Sequence, residues 1–457
     1  MNDTSSRHLI IVIGLATTTL IALSLLPLSD ITGNRLKDFD LFEDLFPTEY
    51  RELNTITPVS DSDCNFDKVE MAEDVSTSAT VPAKPQITYA PAQVANAGEI
   101  ENYTSGVPLS KFKAALMHVS DRVVRVAFLG DSFIEGDILT QDFRDLLQKE
   151  YGGSGVGFMA MHSDFPGFRH TVRQTDAGWS MHDIRTQRSS DTIRTISGDY
   201  ATVNSVPATT TYKGCDWSER TKQWSRSTVM FLAPRGGTVS LLTDDGVYDY
   251  TLEAKQSVQA LTCLGLTSKF GVKVLTSDII ALGAFLDGDA GIQVDCMSVR
   301  GNTGVGHRNV NSALTEQMRR EADYSLIVME YGVNALSAAQ TDYSAYSQSI
   351  SLSIEHLKSI YPEADIILMG IADRGYKEGS AVRSLRTCEA MVKAQRDAAK
   401  RSNVHFWDTR TAMGGNDACA EWRRNKLMNA DYTHINHKGG ERMAKLLYDA
   451  IKNVVGD

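Results

Sequence analysis

Two short stretches at opposite ends of the chain carry side chains able to form and cleave a covalent intermediate. Gly130-Asp131-Ser132 follows the apolar, β-branched run Val123 to Leu129. A serine is a poor nucleophile at its own pKa and requires a neighbouring base that is itself oriented by a third group. Asp431-Tyr432-Thr433-His434, just ahead of the last helical stretch, supplies both from one loop. The chemistry these residues suit is acyl transfer: His434 removes the Ser132 proton, the alkoxide attacks an ester carbonyl, and the acyl-serine is then hydrolysed. Either stretch alone has a plainer reading, a chance tripeptide or a helix-capping Asp beside a surface His. Their joint placement, serine at a strand end and Asp/His before a helix, favours catalysis. His437 is the rival base, although its spacing from Asp431 suits a helix side. His307, in Gly304-Val305-Gly306-His307, reads as a loop histidine that could line a pocket.

The elements that must position these residues alternate. After the Val123 to Leu129 strand, Ile138, Leu139, Phe143, Leu146 and Leu147 recur at helical spacing up to Gly152-Gly153. This places Ser132 at the carboxyl end of a parallel strand with its amide near a helix N-terminus. Strand signals return at Ile292 to Val299, Tyr324 to Glu330, Asp365 to Gly370 and Val404 to Trp407. Helical stretches start near Asn309 and Tyr343, cross Ala381 to Lys400, and resume at His437. Five apolar strands separated by amphipathic helices predict an α/β fold with a five-stranded parallel sheet covered on both faces. Residues 154–290 differ, being rich in Thr, Ser and Gly, with short β-type runs at Ser227 to Leu232, Thr238 to Leu242 and Val247 to Leu252. They predict an inserted, sandwich-like β domain dividing the α/β unit into 109–153 and 291–457. Trp179, Tyr212, Trp217 and Trp224 within it could stack on sugars, or simply fill its core.

The 457 residues are 42% apolar, enough for a full core, and the formal charge of -11 with no Lys/Arg run excludes a nucleic-acid footprint. Leu9 to Leu28 is an almost uncharged stretch following Arg7 and His8, and about twenty such residues cross a bilayer core of about 30 Å. Residues 1–29 therefore read as an uncleaved signal anchor, a membrane partner for the chain. Residues 30–108, acidic at Asp38 to Glu49 and then rich in Ser, Thr, Ala and Pro, read as a disordered linker. The six cysteines are scattered without a CxxC or a Cys/His spacing suited to zinc, so no metal and no cofactor are expected. Export would permit disulfides, with a connectivity the sequence does not give.

The chain resembles the SGNH/GDSL hydrolases, whose four blocks occur here in order: Ala127-Phe128-Leu129-Gly130-Asp131-Ser132, Arg300-Gly301-Asn302-Thr303-Gly304, Tyr331-Gly332-Val333-Asn334, and Asp431 to Gly439. The resemblance implies a flavodoxin-like hydrolase fold with Ser132, His434 and Asp431 as triad. It also implies an oxyanion hole made by the Ser132 amide, the Gly301 amide and the Asn334 side chain. One departure stands at Ala335, where the family usually has Asp, removing a carboxylate beside that hole. A narrower likeness to bacterial peptidoglycan O-acetylesterases rests on Tyr151-Gly152-Gly153-Ser154-Gly155-Val156-Gly157-Phe158, on the position of the insert, and on Met413-Gly414-Gly415. It implies an O-acetylated glycan, peptidoglycan, as substrate in the bacterial cell envelope, and a carbohydrate-binding-like insert. The alternatives are an acetylesterase acting on another polysaccharide such as xylan, an O-acyltransferase using the same triad, and a non-catalytic tethered glycan-binding protein.

Overall fold

The computed structural model describes residues 98–186, 192–379 and 381–456. The expected anchor and all but the last residues of the expected linker lie outside these. Among the described residues no helix is long and apolar enough to cross a membrane.

Six strands form the central sheet: β1 (Ile100–Asn102), β2 (Val123–Gly130), β3 (Gly291–Ser298), β4 (Leu326–Glu330), β5 (Asp365–Met369) and β6 (His405–Trp407), in the order β1-β6-β5-β4-β2-β3. The strands β2 to β6 are parallel, as expected, and β1 is an antiparallel addition on the β6 edge. It falls within the segment expected as linker; Ile100-Glu101-Asn102 is too short to carry a strand signal, and pairing with β6 creates it. Alternation along β2 sends Val124, Val126 and Phe128 to one face and Ala127 and Leu129 to the other. The first face is covered by α1 (Thr140–Tyr151) and α4 (His437–Val455), through Phe143, Leu147, Met443 and Leu447. The second is covered by α2 (Ser344–Ile360) and α3 (Thr387–Arg401), through Ile350, Ile354, Met391 and Ala398.

Two local expectations are corrected. The helix read across Ala381 to Lys400 begins only at Thr387; Gly375–Glu378 and Ala381–Ser384 form an antiparallel hairpin instead. The hairpin is held by tertiary bonds, Gly375 N–H to Tyr432 O at 2.8 Å and Leu385 N–H to Arg374 O at 2.7 Å. Nor does Ser132 sit at a helix N-terminus: a 3-10 turn at Glu135–Asp137 intervenes and α1 opens at Thr140.

Between α1 and β3 the chain forms two antiparallel sheets. One runs, in order, through Gly246–Leu252, Gly237–Thr243, Lys269–Val274, Ala208–Gly214 and Val172–Ala177. The other runs through Lys255–Thr267, Trp224–Ala233, Ile280–Asp287, Asp199–Val203 and Trp179–Asp183, with Gly155–Met159 also pairing Ile280–Asp287. Residues of both sheets share one apolar cluster, so the fold is a parallel α/β sheet covered by helices with an inserted β-rich domain. Tyr212, Trp224 and Trp179 lie in that cluster and Trp217 is half-buried, so the core reading of these aromatics replaces the sugar-stacking one for the first three. A buried ionic cluster joins insert to sheet. Arg125 on β2 pairs with Asp287 of the insert and with Asp295 on β3 at 3.0 Å, and Asp295 also accepts from Tyr324 Oη at 2.9 Å and Phe158 N–H at 2.9 Å.

Candidate active site

In the sheet order β2 is flanked by β3 on one side and β4 on the other, and the chain goes from β2 out to β3 and then crosses back over β2 to β4, so the direction of strand addition reverses there. That reversal opens a crevice at the carboxyl ends of the strands, where open α/β sheets bind ligands. Ser132 follows β2, Gly301 and Asn302 follow β3, and Asn334 lies in the 3-10 turn after β4. A Cβ on Gly130 would stand 2.7 Å from Ile134 Cδ1 and 3.2 Å from the Glu330 carbonyl, so only glycine lets β2 end this close to β4 and turn.

Ser132 Oγ lies 2.9 Å from His434 Nε2, and His434 Nδ1 lies 2.5 Å from Asp431 Oδ2. The loop holding Asp431 and His434 is tightly determined. Asp431 Oδ1 accepts from the N–H groups of Thr433 (2.9 Å) and His434 (3.0 Å), and Tyr432 adopts a left-handed φ of 54°. Asn429 N–H donates to His434 O at 2.8 Å, and Asn436 caps α4 by accepting from Gly439 N–H at 3.1 Å. A Cβ on Gly439 would stand 1.9 Å from Leu427 O, so the glycine after the His lets the helix start against this loop. Burial works upward on the Asp431 carboxyl, but the hydrogen bond and charge of His434 and the two backbone amides hold it below the ordinary carboxylate range. An ionised Asp431 fixes the proton on Nδ1 and leaves Nε2 as acceptor for the serine hydroxyl.

Asn334 ties the other blocks together: its Nδ2 donates to Asp131 Oδ2 at 2.7 Å and to the Asn302 carbonyl at 3.1 Å. Asn302 Oδ1 in turn accepts from Gly304 N–H at 3.0 Å, tightening the turn that presents Gly301, whose φ is 79°. Asp131, a residue to which sequence reasoning gave no role of its own, is fully buried and also accepts from Phe133 N–H at 2.9 Å. It is thus the carboxylate beside Asn334, a position the Ala335 departure left without one. Beneath it lies buried Glu330; burial pushes both carboxyls up, and a like charge adds to this at each, Glu135 at Asp131 and Asp131 at Glu330. The only advance signal for Asp131 was its place between strand-ending glycine and serine.

The two other histidines lie elsewhere. His437 stacks on His170 with ring centroids 3.8 Å apart and meets Gln141 Nε2 at 3.3 Å; burial, with His170 beside it, drives its pKa down to about 3. His307 is buried against Tyr331 Oη at 2.7 Å, and burial lowers its pKa to about 4. It is a core histidine. Among the described residues no cluster of His, Cys, Asp and Glu could hold a metal ion, and Cys215, Cys263, Cys296, Cys388 and Cys419 are free thiols.

The model of the GDSL-like Lipase/Acylhydrolase family matches residues 281–442, a span that holds Gly301, Asn334, Asp431 and His434 and leaves Ser132 upstream of the insert. A solved peptidoglycan O-acetylesterase superposes with a TM-score of 0.64 at 19% identity, covering 78% of this chain and 99% of that one. A family two carbohydrate esterase from Cellvibrio japonicus reaches a TM-score of 0.27 at 11% identity over 62% of this chain and 98% of that one. No curated protein matches the sequence. The first structural likeness covers both the α/β sheet and a share of the chain that must include the insert, and at its identity it speaks for the fold.

Proposed function

We propose that this chain, a carboxylic ester hydrolase of the GDSL-like lipase/acylhydrolase family, removes O-acetyl groups from a polysaccharide of the cell envelope, peptidoglycan first. The observation that carries the reading is the unbroken relay from Ser132 Oγ through His434 to Asp431, at 2.9 and 2.5 Å, on the crevice edge of the sheet. Ser132 attacks the acetyl carbonyl as His434 takes its proton, and the acetyl-serine is then hydrolysed with His434 acting in reverse. The Ser132 and Gly301 amides and Asn334 Nδ2 receive the oxyanion, each such donor contributing about 3 kcal/mol to the barrier reduction. For Asn334 this requires one of its two present bonds, to Asp131 or Asn302, to yield to the oxyanion.

The choice of a glycan is supported by the fold shared with a peptidoglycan O-acetylesterase, insert included. Placement in the envelope is supported by the apolar stretch Leu9 to Leu28 as a tether, with 30–97 as the spacer that lets the body reach the wall. The test is acetate release by the full chain from O-acetylated peptidoglycan and acetylated xylan side by side, with Ser132→Ala as control. Ser132-dependent release from peptidoglycan is the expected result. Release from xylan alone would redirect the enzyme to another polysaccharide, and undiminished turnover by Ser132→Ala would remove Ser132 from the mechanism.

A further inference from the structure

The turn after strand Trp179–Asp183 of the insert docks onto the loop that carries Gly301. Its Ile184 fills the space over Gly306, where a Cβ would stand 2.8 Å from Ile184 Cγ1. The next residue, Arg185, reaches Gly301 itself: a Cβ there would stand 3.2 Å from Arg185 Nη1. The guanidinium is locked in that direction. Asp183 takes its Nε at 3.1 Å and Nη2 at 2.8 Å, together with the Arg185 backbone N–H at 2.8 Å. Such a two-point clamp fixes the plane of the fork, so the third nitrogen is aimed at the loop beside the reacting serine.

This pair has a counterpart. Arg300, the residue before Gly301, pairs with Glu135 and lies 5.0 Å over the ring of Phe165 from the insert. Both pairs line a cleft of about 190 Å³ between insert and catalytic sheet, together with Arg169. Its walls set the charged groups of Glu135, Arg169, Asp183, Arg185 and Arg300 beside apolar side chains such as Phe158, Phe165 and Met181. Hydroxyls and amide oxygens of a sugar meet partners there, whereas a fatty acyl chain would leave these charges desolvated.

We infer that Arg185 is a specificity-determining residue supplied by the insert, its Nη1 donating to an oxygen of the glycan that occupies the cleft while the acetyl group lies at Ser132. The inference rests on the glycan esterase reading above. It gives the insert a direct part in substrate selection, through one clamped arginine at the oxyanion glycine.

The experiment compares Arg185→Ala and Arg185→Lys with the wild-type full chain on an O-acetylated glycan and on para-nitrophenyl acetate, which carries no sugar. The expected result is a KM for the glycan raised about tenfold or more in both variants, the loss of one charge-assisted hydrogen bond. Kinetics on the small ester and the thermal midpoint should stay as in wild type. An unchanged glycan KM would overturn the inference, and so would a parallel fall of kcat on both esters, which would place Arg185 in the chemical step. Wild-type chain that turns over the small ester through Ser132 yet releases nothing from any glycan would overturn the glycan reading, and the inference with it.

Discussion

Replacing Asp431 by Asn should harm the enzyme more than replacing it by Ala. Asp431 Oδ1 accepts two backbone N–H groups, at 2.9 and 3.0 Å, while Oδ2 faces His434 Nδ1 at 2.5 Å. An asparagine keeps its oxygen on the two amides, so its NH2 must face Nδ1. That forces the imidazole proton onto Nε2, which can then no longer accept from Ser132. The opposite amide orientation restores the tautomer but gives up two hydrogen bonds worth about 1 kcal/mol each and sets N–H against NH2, holding the competent form near 1%. The missing charge removes about a further tenfold, a modest factor because the Asp431 side chain is 42% exposed and its field is screened. The expected loss in kcat is about 10³ for Asp431→Asn. For Asp431→Ala, where either tautomer is open, the loss should be smaller than this. Initial rates on para-nitrophenyl acetate at mildly alkaline pH measure both variants, with thermal unfolding as the control for folding. Asn as active as Ala, or within tenfold of wild type, would refute the tautomer argument.

Two further perturbations probe the frame. Burial holds His307 neutral, its pKa lowered from 6.5 to about 4, so the unfolded chain binds the extra proton and stability is lost as pH falls from 6.5 toward 4. The window is worth about 3 kcal/mol, and His307→Gln should flatten this part of the stability curve in urea titrations across pH; an unaltered slope would clear His307 of the effect. Asp295→Ala breaks the cluster with Arg125, Tyr324 and Phe158 that joins the insert to the sheet, and should cost about 3 to 5 kcal/mol by denaturant unfolding. A cost below about 1 kcal/mol would mean that Asp287 alone satisfies Arg125.

The parts of this molecule written in local pattern were legible in its sequence. The five parallel strands are short apolar runs with glycine or polar stops; Ser132, Gly301 and Asn334 follow the ends of three of them, where an α/β sheet collects ligands, and Asp431 and His434 precede the last helix. What was not legible depends on distant partners. The strand Ile100–Asn102 exists because β6 offers an edge, and the hairpin at Gly375–Ser384 exists because Tyr432 and Arg374 receive its ends. Trp224 and Tyr212 give no sign in one dimension of the sheet that covers them. Asp131 acquires its meaning only when Asn334, far along the chain, folds onto it. Arg185 likewise has no motif; its significance is the distance to Gly301.

The placement of the insert has a consequence for how the chain reaches this state. The β2–β3 pairing, Val123 with Gly291 onward, joins segments separated by the whole excursion from Ser154 to Ala290. Closing an unstructured loop of that length costs about 4 kcal/mol in chain entropy. The ends of the excursion are stitched together, Ile292 N–H to Gly152 O at 3.0 Å and Gly288 N–H to Ser154 O at 2.9 Å. Once the insert has folded, β3 is therefore delivered beside β2 as if by a tight turn, and the effective contact order of the catalytic sheet collapses. Recovery of activity on refolding should then keep time with the insert, because the strand that presents Gly301 arrives only with it.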